Sequence, residues 1–348
     1  MGSRMFQVKI MKPVRSVIFF LTIAVLGITA CAQSSDCFSE QVFCAALVTD
    51  TLGLNDHGVN QDSWAGLKEA QANGLIQQLE YIESVDTRDY EKNIAYFADK
   101  GFDVIFTSGV GLRDETLRSA DRYPDSAFIG MNQPQEEVRA NLIPVTFPED
   151  QMGFVAGVLA ARITKTQIVG AVCETSGIDS MWRYCEGFRA GVKYADIDKN
   201  IKAQVIYNDN GSSEKIFIDE VWGFETGQTL IQRGADVIFA AGGATGQGAL
   251  RAAAEAQINA IGTERDQAAI LGESGSSVIT SILGSTSFEV QNVIRLLKEG
   301  NISDLQAGQI RVVPLNQKFP ESLAQELETL ILALQSGEIT TNVTLSKP

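Results

Sequence analysis

The sequence predicts an α/β protein of two similar lobes, each with a mainly parallel sheet covered by helices. Apolar runs of strand length alternate with longer amphipathic segments, which is the pattern of βαβ units. With 348 residues, 45% of them hydrophobic, the chain is long enough for about two domains. The predicted strands are residues 45–48, 79–82, 104–106, 128–130, 143–145, 168–172, 203–207, 237–240, 278–282 and 310–313.

A loose internal duplication supports the two lobes. Residues 103–111 (DVIFTSGVG) and 236–243 (DVIFAAGG) each follow a helical segment ending in glycine and carry a strand into a glycine-rich turn. Ser108 and Gly109 lie in the first turn, and Gly243 and Gly246 in the second. Ligands of open α/β sheets bind beyond the carboxyl ends of strands, so we expect a ligand in the crevice between the lobes.

The charge distribution argues against a nucleic-acid partner. The net charge is −15, and residues 1–30 hold four bases and no acid, so the remainder carries 43 acids and 24 bases. Such an acidic surface repels phosphate backbones.

The N-terminus is typical of an export signal. Four basic residues precede the apolar run 17–28, which is shorter than the roughly 20 residues that span a bilayer. Residues 26–31 (LGITAC) resemble the bacterial lipobox. We therefore expect a signal peptide over 1–30, a lipidated Cys31, a polar tether to residue 42, and a lipid-anchored protein outside the cytoplasm, in the periplasm or on the outer cell surface of a bacterium. An ordinary cleaved signal is the alternative.

Export also permits disulfides, and four further cysteines remain. Pairing Cys37 with Cys44 and Cys173 with Cys185 is the most local of three connectivities. Free buried thiols are the alternative.

The chain lacks the usual constellations of an enzyme. The glycine turn at 242–248 contains neither Gly-Lys-Ser/Thr nor G-x-G-x-x-G, so it predicts no nucleotide cofactor. His57 is the only histidine, which excludes a zinc site with two histidines. Asp50, Asp56 and Asp62 do not follow the calcium-loop spacing. We expect no enzyme, no cofactor and no metal.

An ordered set of motifs resembles the basic membrane protein (BMP) family over about residues 44–340. After the lipobox come residues 49–67 (TDTLGLNDHGVNQDSWAGL), 234–248 (GADVIFAAGGATGQG), 261–267 (IGTERDQ) and 279–283 (ITSIL). The family consists of substrate-binding lipoproteins of ABC importers, including purine nucleoside receptors.

The resemblance implies a type I periplasmic-binding fold, whose lobes are joined by three crossings and close on ligand like a hinge. We expect crossings near residues 141–147, 278–281 and 307–314. The N-terminal lobe then comprises 43–141 and 281–308, and the C-terminal lobe 142–280 and 309–340.

The resemblance also implies a binding site. Asp50 matches an aspartate that binds the purine, Asn60 and Gln61 match a polar element, and Phe217 matches a base-stacking aromatic residue. Gly243 and Gly246 lie in the ligand-facing turn.

Three positions depart from the family pattern. Val59 replaces a stacking phenylalanine, Glu264 replaces an aspartate that holds ribose hydroxyls, and Gly284 replaces a lysine. Trp182, just past a strand of the second lobe, either substitutes for the missing ring or is simply packed.

The resemblance thus implies a monomeric lipoprotein that delivers a small polar ligand, such as a purine nucleoside, to the permease and ATPase of an ABC importer. A ligand sensor of the same fold that acts on a signalling partner and an extracytoplasmic enzyme acting on nucleosides are the alternatives.

Overall fold

The computed structural model describes residues 37–137, 139–196, 200–302, 305 and 308–348. The predicted signal peptide, Cys31 and tether residues 32–36 lie outside this range, as do residues 306 and 307 near the third predicted crossing. Within the described part, no helix is long and apolar enough to cross a membrane.

The first lobe contains a five-stranded parallel sheet with the strand order β2-β1-β3-β4-β5. Its strands are β1 (Cys44–Thr49), β2 (Gln78–Glu83), β3 (Val104–Ser108), β4 (Ala127–Met131) and β5 (Leu142–Val145). Its helices are α1 (Val59–Ala72), α2 (Tyr90–Ala98), α3 (Arg113–Arg122) and, from later in the chain, α9 (Thr286–Glu299). Both faces of this sheet are covered, because Ile105 packs into one apolar cluster while Val104 and Phe106 pack into another.

The second lobe contains a six-stranded sheet with the order β11-β10-β9-β8-β6-β7, in which only the edge strand β11 is antiparallel. Its strands are β6 (Ile168–Cys173), β7 (Lys202–Tyr207), β8 (Val237–Ala241), β9 (Asn259–Thr263), β10 (Val278–Gly284) and β11 (Ile310–Val312). Its helices are α4 (Glu149–Ile163), α5 (Asp179–Ala195), α6 (Glu220–Gln232), α7 (Gly243–Glu255), α8 (Gln267–Leu271) and α10 (Glu321–Gln335).

The two α/β lobes confirm the predicted fold class. Each predicted strand is present, and β9 is an additional strand that the apolar runs did not indicate. The chain passes between the lobes after β5, after β10 and again before β11. Residues 142–145 pair in the first sheet and residues 281–284 in the second, which differs from the expected lobe boundaries at both places.

Helix α9 belongs to the first lobe although it follows a strand of the second. It packs so closely on α1 that a Cβ atom at Gly66 would lie 2.6 Å from the Ser287 carbonyl oxygen. Its Val290, Val293 and Ile294 are fully buried in the core of the first lobe.

The four cysteines after Cys31 form the two disulfides of the most local connectivity, Cys37–Cys44 and Cys173–Cys185, and are not free thiols. The second joins the end of β6 to α5 and therefore closes the intervening loop, residues 174–184, into a short ring.

Candidate ligand-binding cleft

The loops beyond the carboxyl ends of both sheets meet around a central cavity of about 60 Å³. The residues that line it from the first lobe are Asp50, Leu52, Asp56, Gly58, Val59, Gly109, Val110 and Asn132, and from the second Ile178, Ser180, Met181, Phe217, Gly243 and Glu264. An adjoining cavity of about 30 Å³ shares Val59, Asn132 and Glu264 with it. Together they are far smaller than a typical ligand site of about 300 Å³ or more. The lobes are therefore in a closed arrangement.

Asp50 follows β1 and supplies an unused acceptor. Its Oδ1 atom accepts hydrogen bonds from Asn60 Nδ2 at 2.8 Å and Leu52 N at 3.1 Å. No described residue donates to Oδ2, which lies so close to Gly109 that a Cβ atom there would be 2.1 Å away. Burial raises the pKa of Asp50 to about 6, although the bonds from Asn60 and Leu52 lower it. Oδ2 can thus accept a further hydrogen bond from the cavity side.

Asp56 shapes the loop that leads into α1. Its Oδ1 atom accepts from Gly58 N at 2.9 Å and Gln61 N at 3.1 Å, and its Oδ2 atom accepts from Asn60 N at 3.0 Å. These are backbone donors at a helix start, which otherwise have no intrahelical partner. Asp56 therefore fixes the helix entry while its side chain borders the cavity.

Asn60 and Gln61, both predicted ligand residues, lie behind the cavity wall. Asn60 is fully buried, and its Nδ2 atom donates to Asp50 and to the Gly53 carbonyl oxygen. Gln61 Oε1 accepts from Arg265 of the second lobe at 2.8 Å. Asn60 orients Asp50, and Gln61 connects the lobes.

Ser108 and Gly246 lie beneath the cavity surface, outside its lining. The Ser108 carbonyl oxygen accepts from Asp50 N at 3.1 Å, which ties the ends of β1 and β3 together. Gly246 packs against the backbone of Ala241, where a Cβ atom would lie 3.4 Å from the carbonyl carbon. Ser108 therefore supports a residue that lines the cavity, whereas Gly246 has a packing role at the start of α7.

Phe217 supplies the aromatic surface of the central cavity. Its backbone is held in the left-handed region with a φ of 67°. Its N–H donates to Glu174 Oε2 at 2.9 Å, and its carbonyl oxygen accepts from Ala244 N at 2.8 Å. Gly243 must be glycine here, because its φ is 55° and a Cβ atom would lie 2.8 Å from the Phe217 carbonyl oxygen.

Glu264 follows β9 and borders both cavities. Its own φ is 65°, an uncommon conformation for a residue with a side chain. The pKa of Glu264 is raised to about 7, mainly by burial and also by the nearby charge of Asp56, while a hydrogen bond from the Gly243 backbone acts in the opposite direction.

Trp182 lies outside the cleft. Its ring stacks on Tyr207 with centroids 6.0 Å apart, and its Nε1 atom donates to Thr344 Oγ1 at 3.1 Å. Its neighbour Met181 lines the cavity instead, together with Ile178 and Ser180. The ring therefore does not replace the aromatic residue that is missing at Val59.

The local packing explains why residue 284 is a glycine. A Cβ atom at this position would lie 2.3 Å from the Phe147 ring, so that ring occupies the space that a side chain would need. The adjoining cavity is bordered by Phe147, Gly284 and Tyr184, and no lysine stands there.

The sequence interpretation missed several cavity residues, notably Asn132 and Met181. Asn132 follows the last residue of β4, so its position beyond a strand end was a usable signal. Met181 gave no such signal, because it lies on a helix whose orientation depends on the preceding loop.

Among the described residues, neither a metal site nor another groove is a stronger candidate than this cleft. In the described part of the chain, no group of three or more His, Cys, Asp or Glu residues could hold a metal ion. A larger groove of about 710 Å³ runs between β11 and α10, but it is mostly apolar and contains none of the predicted site residues. The cleft, with its converging polar groups, is the stronger candidate.

Comparisons with known proteins identify the family to which the chain is related. A family model described as "ABC transporter substrate-binding protein PnrA-like" matches residues 43–318. A Listeria monocytogenes protein named "CD4+ T-cell-stimulating antigen" is 30% identical over 257 residues, which are 68% of this chain and 69% of the relative. The "ABC transporter nucleoside-binding protein BmpA" of Lactococcus lactis is 29% identical and is matched over 66% of this chain and 62% of its own length.

Among solved structures, a solute-binding protein of an ABC transporter system from Conexibacter woesei has a similar fold. It superposes with a TM-score of 0.70 at 22% identity, over 87% of this chain and all of that one. This similarity supports the two-lobed architecture.

Proposed function

Because the chain belongs to the PnrA-like family of ABC transporter substrate-binding proteins, we propose that it captures a small polar ligand outside the cytoplasm and delivers it to an ABC importer. The observation that carries this proposal is the cavity between the two lobes, which both lobes line with polar side chains. Its partners would be the permease and ATPase of that importer. A lipid on Cys31 would hold a monomer at the membrane.

The proposed ligand class is a purine nucleoside or a related heterocycle. Phe217 offers a ring for stacking, and Asp50 Oδ2 offers a carboxylate oxygen to an N–H or O–H donor. The Lactococcus lactis relative is named as a nucleoside-binding protein. These two features together favour a flat ligand rich in donors.

Ligand entry requires the lobes to separate. The central cavity of about 60 Å³ is too small for a nucleoside, and residues of both lobes line it. Hinge motion at the three crossings would open the cleft and then close it over the ligand. A permease can distinguish these two states.

Calorimetry with purine nucleosides and free bases tests the ligand class. We expect at least one to bind well below a Kd of 1 mM, where binding is worth only about −4 kcal/mol. If all bind more weakly than that, the nucleoside assignment is wrong. The recovered ligand should be chemically unchanged after incubation, since the protein binds and does not convert it.

The variant Asp50→Asn tests the site. It keeps the shape of the side chain but removes its charge, and a hydrogen bond to a charged group is worth about 1.5–3 kcal/mol. We expect affinity to fall at least tenfold, whereas the exposed control Asp125→Asn should bind like the wild type. Equal affinity in Asp50→Asn would contradict the site.

A further inference from the structure

The charged side chains that the described residues contribute to the lining of both cleft cavities are all acidic. Asp50, Asp56 and Glu264 border the central cavity, and Asp62 and Glu149 join Glu264 around the adjoining one. Of the described residues that line these two cavities, none is lysine, arginine or histidine. The cleft therefore carries uncompensated negative charge unless some of these groups have partners elsewhere.

Two of these five acidic residues are paired with arginines. Asp62 Oδ1 lies 2.8 Å from Arg265 Nε, and Glu149 Oε2 lies 2.8 Å from an Arg183 guanidinium nitrogen. Both arginines approach from outside the two cavities, so each ion pair is complete without a ligand. A third acid, Asp56, receives three backbone N–H groups.

Asp50 and Glu264 have no cationic partner among the described residues. Asp50 is about nine-tenths buried, and its Oδ2 atom receives no hydrogen bond from a described residue. Glu264 receives one from the Gly243 backbone while Asp56 and Asp62 raise the negative potential around it. A buried carboxylate without a partner is costly, so it either takes up a proton or binds a positive charge.

The two groups come from opposite lobes. Asp50 follows β1 of the first lobe and Glu264 follows β9 of the second, and they border the same cavity. A cation in that cavity would attract both and would therefore favour closure of the lobes. A phosphate there would face both carboxylates with no base beside it.

We propose that the natural ligand carries a positive charge, on an alkylated or protonated ring nitrogen or an amine, and that this charge is held between Asp50 and Glu264. This inference rests on the proposed ligand-capture function and narrows it. Neutral nucleosides therefore bind more weakly than cationic ones of the same shape, and a ligand that places a phosphate in this cavity binds more weakly still.

Three matched probes test the charge preference. Adenosine is neutral at pH 7.5, 1-methyladenosine differs by one methyl group and a positive charge, and adenosine 5′-monophosphate is an anion. The full chain is purified in mild detergent, freed of bound ligand by dialysis and titrated with each probe by calorimetry. We expect 1-methyladenosine to bind at least tenfold more tightly than adenosine, and the monophosphate to bind more weakly than adenosine.

Two variants test the assigned residues. Glu264→Gln preserves size and should reduce the preference for the cation to less than threefold. Glu255→Gln, at an exposed position of α7 in the same lobe, should keep it. Thermal unfolding confirms that both variants are folded.

The outcomes separate the two proposals. Binding of adenosine as tight as that of 1-methyladenosine, or an unchanged preference in Glu264→Gln, overturns the charge inference and leaves the nucleoside assignment intact. If none of the probes binds, the nucleoside assignment fails. Mass spectrometry of the molecule that co-purifies with the protein then determines the charge of the natural ligand. A cation supports the inference. A neutral or anionic molecule, or the absence of any bound molecule, overturns it.

Discussion

Arg265 and Asp62 form an ion pair that joins the two lobes, with Nε and Oδ1 2.8 Å apart. Arg265 follows β9 of the second lobe, and Asp62 lies on α1 of the first. Both side chains are only 19% exposed, and the guanidinium also donates to Gln61 on the same helix. This contact does not need a ligand, so it joins the lobes in the ligand-free protein, although burial raises the pKa of Asp62 to about 6.

Removing this cross-lobe pair should open the ligand-free protein. In Arg265→Ala both contacts to α1 are lost, so the population of separated lobes should increase and small-angle X-ray scattering should give a larger radius of gyration. Arg189→Ala is the matched control, because Arg189 pairs with Glu186 within α5. Identical scattering from Arg265→Ala and wild type would show that the pair does not hold the lobes.

Asn60 should control affinity without touching the ligand. Asn60→Ala leaves Asp50 without its 2.8 Å donor, so we expect about tenfold weaker binding together with a loss of about 1–3 kcal/mol in the free energy of unfolding. Asn93→Ala removes a comparable buried bond to Ser84, 3.0 Å long, elsewhere in the first lobe. Calorimetry should show weaker binding only for Asn60→Ala, while chemical denaturation shows destabilisation for both. Equal affinities would assign Asn60 a purely structural role.

The Cys173–Cys185 disulfide should matter for both stability and binding. It closes a loop with a sequence separation of 12, and this loop presents Ile178 and Met181 to the cavity. Chain entropy predicts a loss of about 3 kcal/mol in the free energy of unfolding when both cysteines are changed to alanine.

The other disulfide provides the comparison. Cys37–Cys44, with a separation of 7, lies away from the cavity lining. Its double alanine variant should be destabilised less and should bind ligand normally. The account of the loop is contradicted if the two double variants have the same affinity.

Stability of the ligand-free protein should fall as pH rises from about 4 to about 7. Burial raises the pKa of Asp50 to about 6 and that of Glu264 to about 7, above their ordinary values of 3.8 and 4.5. In this window the folded state binds more protons than the unfolded state, so the free energy of unfolding decreases with pH. Asp86, whose pKa is lowered to about 2 by Arg88, acts in the opposite sense only at lower pH.

Thermal unfolding at pH 5 and pH 7.5 checks this dependence. We expect a higher Tm at pH 5, by several degrees, and a smaller difference in Glu264→Gln. A Tm that is equal or higher at pH 7.5 would mean that these carboxyl groups are not protonated in the folded cleft.

The sequence best predicted those cavity residues that come directly after a strand. Asp50 and Gly109 each follow a predicted strand and border the central cavity, whereas Glu264, which also borders it, was identified only through the family resemblance. Parallel strands gather their carboxyl ends at one edge, so this much follows from topology. Strand β9 itself was missed because Asn259 and Gly262 leave it only a short apolar run.

Orientation within a helix could not be predicted. Trp182 and Met181 are neighbours on α5, yet Met181 borders the cavity and Trp182 stacks on Tyr207, because one residue turns a helix by about 100°. Likewise, Asn60 faces Asp50 because Asp56 fixes how α1 begins. Such details depend on loop geometry that residue spacing does not encode.

A crystal structure of the protein with its co-purified ligand tests the central claim most directly. The measurement is the distance from Asp50 Oδ2 to the nearest donor atom of the ligand. The account predicts a hydrogen bond of about 2.7–3.2 Å, with the ligand ring against Phe217. A ligand that leaves Oδ2 without a donor, or that occupies the groove between β11 and α10, would contradict it.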